Sequence, residues 1–146
     1  MDLAWHRKEG TVPTEFVRTD RFDFGIGMLM GLARARQTTL DERRLVDVHK
    51  AFVAAFQVVA NRLGKSTIRF WMTTDELHGT SPDVDVIFQY WLSSGYATKD
   101  APGTIYRFQI SKRSADQKLE TIAGGAELYD KAITAYFESL NSHYSA

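Results

Sequence analysis

The sequence predicts an α+β domain in which helices surround a small antiparallel sheet, and three stretches carry that expectation. Residues 45–63 place Leu45, His49, Phe52, Phe56, Val59 and Leu63 at alternating steps of four and three, the period of a helix buried along one face. Residues 82–92 repeat the period with Val84, Ile87, Phe88, Trp91 and Leu92 behind Ser81-Pro82, a serine cap followed by proline at the first helical position. Residues 96–99 and 104–110 are β-prone runs on either side of Asp100-Ala101-Pro102-Gly103, which reads as a hairpin.

Composition agrees with one globular domain. The chain has 146 residues, 44% of them apolar and 25% charged, enough to bury a core without disulfides or metal. It has no cysteine, which excludes a thiol nucleophile and a cysteine metal site. No apolar run approaches the roughly 18 residues that span a bilayer, so no membrane association is expected. Met1 to Glu9 lead into no apolar segment, and the expected location is cytoplasmic.

The remaining elements follow in chain order. Residues 1–19, with Gly10 and Pro13 and no sustained period, read as an arm ahead of a single domain at 20–146. Asp20 caps a helix to about Arg36 whose interior, Phe24 to Ala33, is apolar nearly all round and therefore buried. Gly27, Gly31 and Ala35 lie four apart, the spacing of close helix packing rather than of a phosphate loop. Thr39 with Asp41 and Glu42 starts the helix that Gly64 ends. Thr67 to Met72 gives a short strand signal, and Thr73 or Thr74 caps a short helix ended by Gly79. A last helix runs over 114–140, with Leu119, Ile122, Ala126, Tyr129, Ile133, Tyr136 and Leu140 in an a/d seam. Gly124-Gly125 allows a kink in it.

The unit 40–110 thus reads helix, strand, helix, turn, helix, hairpin. Phe70-Trp71-Met72-Thr73-Thr74-Asp75-Glu76-Leu77 resembles the strand and T-x-x-E-L entry to the second helix of winged helix-turn-helix domains. Leu92-Ser93-Ser94-Gly95-Tyr96 resembles their L-x-x-x-G-[YLI] exit into the wing, and Tyr106-Arg107-Phe108 resembles the returning wing strand. The resemblance covers about half the chain. The long helix after the wing is similar to the dimerisation helix of MarR-like and PadR-like regulators. The resemblance implies a homodimer joined through Leu119, Ile122, Tyr129, Ile133, Tyr136 and Leu140, with the 20–36 helix as an N-terminal addition. It also implies a DNA-binding transcriptional regulator, with duplex DNA as partner.

Charge placement modifies that expectation. The total is zero, but residues 67–95 carry a net of −3 and residues 96–113 a net of +3. The outward face of the third helix shows Asp83, Asp85, Val86, Gln89, Tyr90 and Ser93, with no cation to read guanine. Contacts led by the wing are therefore expected, with Lys99, Arg107, Lys112 and Arg113 on phosphate and Gln89 and Tyr90 approaching bases. The alternative is a winged-helix module without DNA binding, which meets a basic protein partner through Asp83 and Asp85.

Catalytic and cofactor readings find little support. His6, His49, His78 and His143 show no metal-ligand spacing, and His49 beside an apolar stripe reads as a satisfied core residue. Asp83 and Asp85, two apart on a helix, point away from each other. No G-x-S-x-G elbow is present, so no enzyme activity, metal or cofactor is expected. Trp71, Trp91, Tyr129 and Tyr136 are candidates to line an effector pocket in a regulator of this type, although aromatic stripes at helical spacing are more often core.

Overall fold

The computed structural model describes residues 18–145; the expected arm lies outside this range except for its last two residues. The fold is α+β: five α-helices and one three-stranded antiparallel sheet. The order is α1 (Arg21–Arg34), β1 (Thr39–Asp41), a 3-10 turn (Glu42–Arg44), α2 (Leu45–Leu63), α3 (Pro82–Ser93), β2 (Thr98–Lys99), β3 (Ile105–Arg107), α4 (Lys112–Leu119) and α5 (Gly125–Ser145).

The α1 helix starts where its sequence says it should. Asp20 accepts from the Asp23 N–H and the Asp23 carboxylate accepts from the Asp20 N–H, a reciprocal cap. Every residue from Phe24 to Ala33 is buried, because α3, α4 and α5 all pack on this helix. The α2 helix also follows its stripe, burying Val48, His49, Phe52, Phe56 and Val59 and ending at Gly64 with φ +83°. Its main partner is α5.

Four expectations are corrected. Thr39 to Asp41 do not start a helix; they form β1, which pairs with β3 in the register Thr39–Arg107, Leu40–Tyr106 and Asp41–Ile105. Capping still occurs, but Asp41 accepts from the Arg43 N–H and opens the 3-10 turn instead. Residues 67–72 form no strand beyond one parallel bridge between Ile68 and Thr19. Phe70 and Trp71 lie on α2 with ring centroids 4.8 and 5.3 Å from Phe56, so aromatic contact with α2 overrides their β-propensity. The short helix after Thr74 is a tight turn. Asp75 accepts from the Leu77 N–H, its carbonyl accepts from Gly79, and its own N–H donates to Thr80, which closes the chain before a helix can propagate.

The fourth correction concerns 114–140. Gly124 and Gly125 take φ of +89° and +59°, a left-handed conformation no helix can pass through, so α4 and α5 are separate elements. The seam faces inward. Leu119, Tyr129, Ile133 and Tyr136 are buried within the chain and Ile122 and Leu140 are partly buried against the same core, so α1 and α2 cover what a partner helix was expected to cover. Arg34 fastens this arrangement from the end of α1, paired with Asp116 of α4 and, at 2.9 Å, with Asp130 of α5. No described helix is long and apolar enough to cross a membrane.

Candidate nucleic-acid interface

The sheet has the order β1-β3-β2, so β3 is central and its side chains alternate between two faces. Tyr106 shares the inner face with Leu40 and Lys99, its partners in register. Arg107 shares the outer face with Thr39 on one side and Thr98 on the other, and all three are exposed. The hairpin is held by Asp100, which accepts from the N–H groups of Thr104 and Ile105 at 2.9 and 3.1 Å. Those backbone donors, Ile105 foremost, keep its carboxyl below the ordinary range.

The six expected DNA-contacting residues separate into different situations. Arg107 borders a shallow groove of about 350 Å³ with Tyr96, Thr98 and Gln109. Arg113 is exposed at the start of α4 and makes no ion pair among the described residues. Lys112 is exposed and reaches Asp116 one turn on, at 3.2 Å. Lys99 is different. Its ammonium is 3.3 Å from Glu42 and 4.7 Å from the Tyr106 ring centroid, and its side chain is less exposed than a surface lysine's. Tyr106 first, and Glu42 second, hold Lys99 above the ordinary lysine range.

Gln89 is exposed on α3. Tyr90 is half-buried, its ring 4.9 Å from that of Phe22 in α1. The acidic face is not two free carboxylates. Asp83 pairs with Arg21 at 3.0 Å, while Asp85 stays exposed with its Oδ1 3.6 Å from the buried His49 Nε2. The interior of α3 packs on the sheet and on α2 through Phe88, whose ring lies 4.8 Å from Tyr106 and 5.3 Å from Phe52.

The effector-pocket candidates do not converge. Trp91 and Tyr129 are core, the Trp91 indole donating to the Gly25 carbonyl at 3.1 Å. Trp71 lies exposed on α2. Of the four, Tyr136 borders an open cavity of about 390 Å³, with Leu32, Leu40, Val48, Phe137 and Leu140 lining it and Arg43 and Arg44 at its edge. Both arginines are paired, with Asp41 and Asp47 respectively. No cluster of three or more histidine and acidic side chains able to hold a metal occurs among the described residues.

Thr39 and Thr98 were missed as members of the basic surface. Their place beside Arg107 depends on strand register, and the sequence offers no signal for a strand at 39–41 inside an acid-rich helix start. Comparison with family models, with characterised proteins and with solved structures finds no match to this chain.

Proposed function

We propose that this chain binds duplex DNA through its hairpin and the start of α4, as a regulator of winged-helix type. The carrying observation is the position of Arg107 between its cross-strand partners Thr39 and Thr98 on the exposed face of the sheet. A guanidinium flanked by hydroxyls on a flat strand surface matches phosphate oxygens, which accept from all three groups. Arg113 and Lys112 follow on the same side of the sequence and extend the positive charge along the chain.

The element order also supports the reading, with a changed frame. Helix, strand, helix, helix, hairpin is present as α1, β1, α2, α3 and β2–β3, so the strand is 39–41 rather than 67–72. The connection from α2 to α3, residues 64–81, is far longer than the three or four residues of a helix-turn-helix. Contacts in this reading are therefore led by the hairpin, with α3 contributing Gln89 at most.

The test is fluorescence anisotropy of a labelled mixed-sequence duplex across a salt series. Binding weakens linearly in log salt, and Arg107→Ala with Arg113→Ala reduces the slope by about two. No binding at low salt, or an unchanged slope, overturns the reading.

A further inference from the structure

The connection between α2 and α3 carries an apolar surface that the fold does not use. Leu77 is 82% exposed and Trp71 63% exposed, the two most open large apolar side chains among the described residues. Both belong to the connection that crosses α2. Trp71 meets Phe56 edge-on, and a Cβ on Gly79 would come within 2.9 Å of Val46 Cγ1, which seats the 75–79 turn over the first turn of the helix. Val46 and Phe56, the helix residues that the turn and Trp71 touch, are about 15 Å apart along the α2 axis, so the surface between Trp71 and Leu77 is long enough for a partner helix of about three turns. Leu45 and Val46, in the first turn of α2 under the 75–79 turn, add half-open apolar surface.

Nothing in the turn requires leucine at position 77. The bend is made by the Asp75 carboxylate, which accepts the Leu77 backbone N–H, and by Gly79 at φ +73°. An apolar side chain at the tip, held clear of the core, is the kind of anchor that interfaces concentrate upon. The surrounding charge sets the partner's chemistry. Asp75 already engages the His78 ring at 2.5 Å and Asp83 pairs with Arg21, which leaves Glu76 in the turn and the exposed Asp85 on α3 to meet a cation.

We propose that the Trp71–Leu77 face is a docking surface for a cationic amphipathic helix of another protein, its apolar side against Trp71, Leu77 and Val46 and its lysines or arginines toward Glu76 and Asp85. The surface is independent of the hairpin, and an anion such as DNA is repelled by it.

The probe is a synthetic amphipathic peptide of leucine and lysine at helical spacing, added to the Trp5→Phe protein. Because Trp91 is buried, a blue shift in emission then reports cover over Trp71. A saturable shift is expected, weakened about tenfold or more by Leu77→Ser, and weakened with reduced salt dependence by Glu76→Gln with Asp85→Asn. Arg107→Ala leaves it unchanged. No shift overturns the proposal, as does equal binding by Leu77→Ser or by a scrambled peptide of the same composition. Self-association of the unmodified protein that Leu77→Ser abolishes also overturns it, by giving the face to a second copy of this chain.

Discussion

His49 Nδ1 accepts the backbone N–H of Ser81 at 2.8 Å, wholly inside the protein. One bond thereby ties the second turn of α2 to the cap of α3. An imidazole that accepts at Nδ1 carries its proton on Nε2, and that nitrogen faces Asp85 Oδ1 at 3.6 Å. Protonating His49 removes the lone pair on which the Ser81 bond depends. Burial holds its pKa below the ordinary 6.5, against the opposing pull of Asp85 on α3 and of Glu42 in the 3-10 turn.

Stability should therefore fall as pH drops below 6.5. The unfolded chain takes up the His49 proton at about that pH while the folded chain still refuses it, so the unfolded state binds more protons and stability rises with pH. The slope from this group is at most about 1.4 kcal/mol per pH unit. Asp41, Asp75, Asp100 and Asp116, all held below the ordinary 3.8, contribute stability above that value and lose it only at lower pH. His49→Gln keeps an acceptor for Ser81 and removes the titration, so urea midpoints between pH 6.5 and about 5 should flatten. Parallel profiles for the two proteins would assign the pH dependence elsewhere.

What the sequence revealed about this region, and what it did not, has a physical cause. The stripe of α2 identified His49 as a core residue, because helical period depends on nearest neighbours along the chain. Its partner, the Ser81 backbone, could not be read, since the path of residues 64–81 is fixed by Phe70 and Trp71 settling on Phe56. The same limit explains β1. Thr39 to Asp41 carry good capping chemistry, and only pairing with a strand some sixty residues later makes them extended. The a/d seam of α5 was legible as a buried stripe but not as to whose helix buries it. The basic hairpin was legible as charge, while the engagement of Lys99 by Glu42 depended on the tertiary fold.

Gly27 and Tyr129 show how tightly that seam closes. A Cβ at Gly27 would fall within the Tyr129 ring, and one at Gly31 would lie 2.6 Å from Ile133 Cγ1. Tyr129 is fully buried and has no room to swing aside. Gly27→Ala should thus destabilise by about 1–3 kcal/mol, although alanine is the better helix former. Equilibrium denaturation in urea measures it, and a stabilised variant would show that α1 and α5 stand further apart.

Arg34 should prove the most sensitive charged side chain to stability. It joins the end of α1 to α4 and α5, and Asp130 chiefly, with Asp116, raises its pKa far above any titration. Arg34→Met should lower the urea midpoint clearly more than Lys112→Met does, since Lys112 serves only Asp116 one turn away on the surface. Equal effects would mean that α4 is held by its apolar contacts alone.

Lys99 and Arg107 lie in adjacent cross-strand rows yet face opposite sides of the sheet, which gives them different predicted roles. The Lys99 ammonium is already spent on Glu42 and on the face of Tyr106, and moving it to phosphate would leave Glu42, itself mostly buried, without its cation. Lys99→Ala should lower thermal stability and leave the salt dependence of DNA binding nearly intact. Arg107→Ala should do the reverse, with little change in Tm and a salt slope reduced by about one. Both variants can be measured by thermal melts and by anisotropy on the same duplex. If Lys99→Ala shrinks the slope as much as Arg107→Ala, the lysine leaves Glu42 on binding and the inner row belongs to the interface.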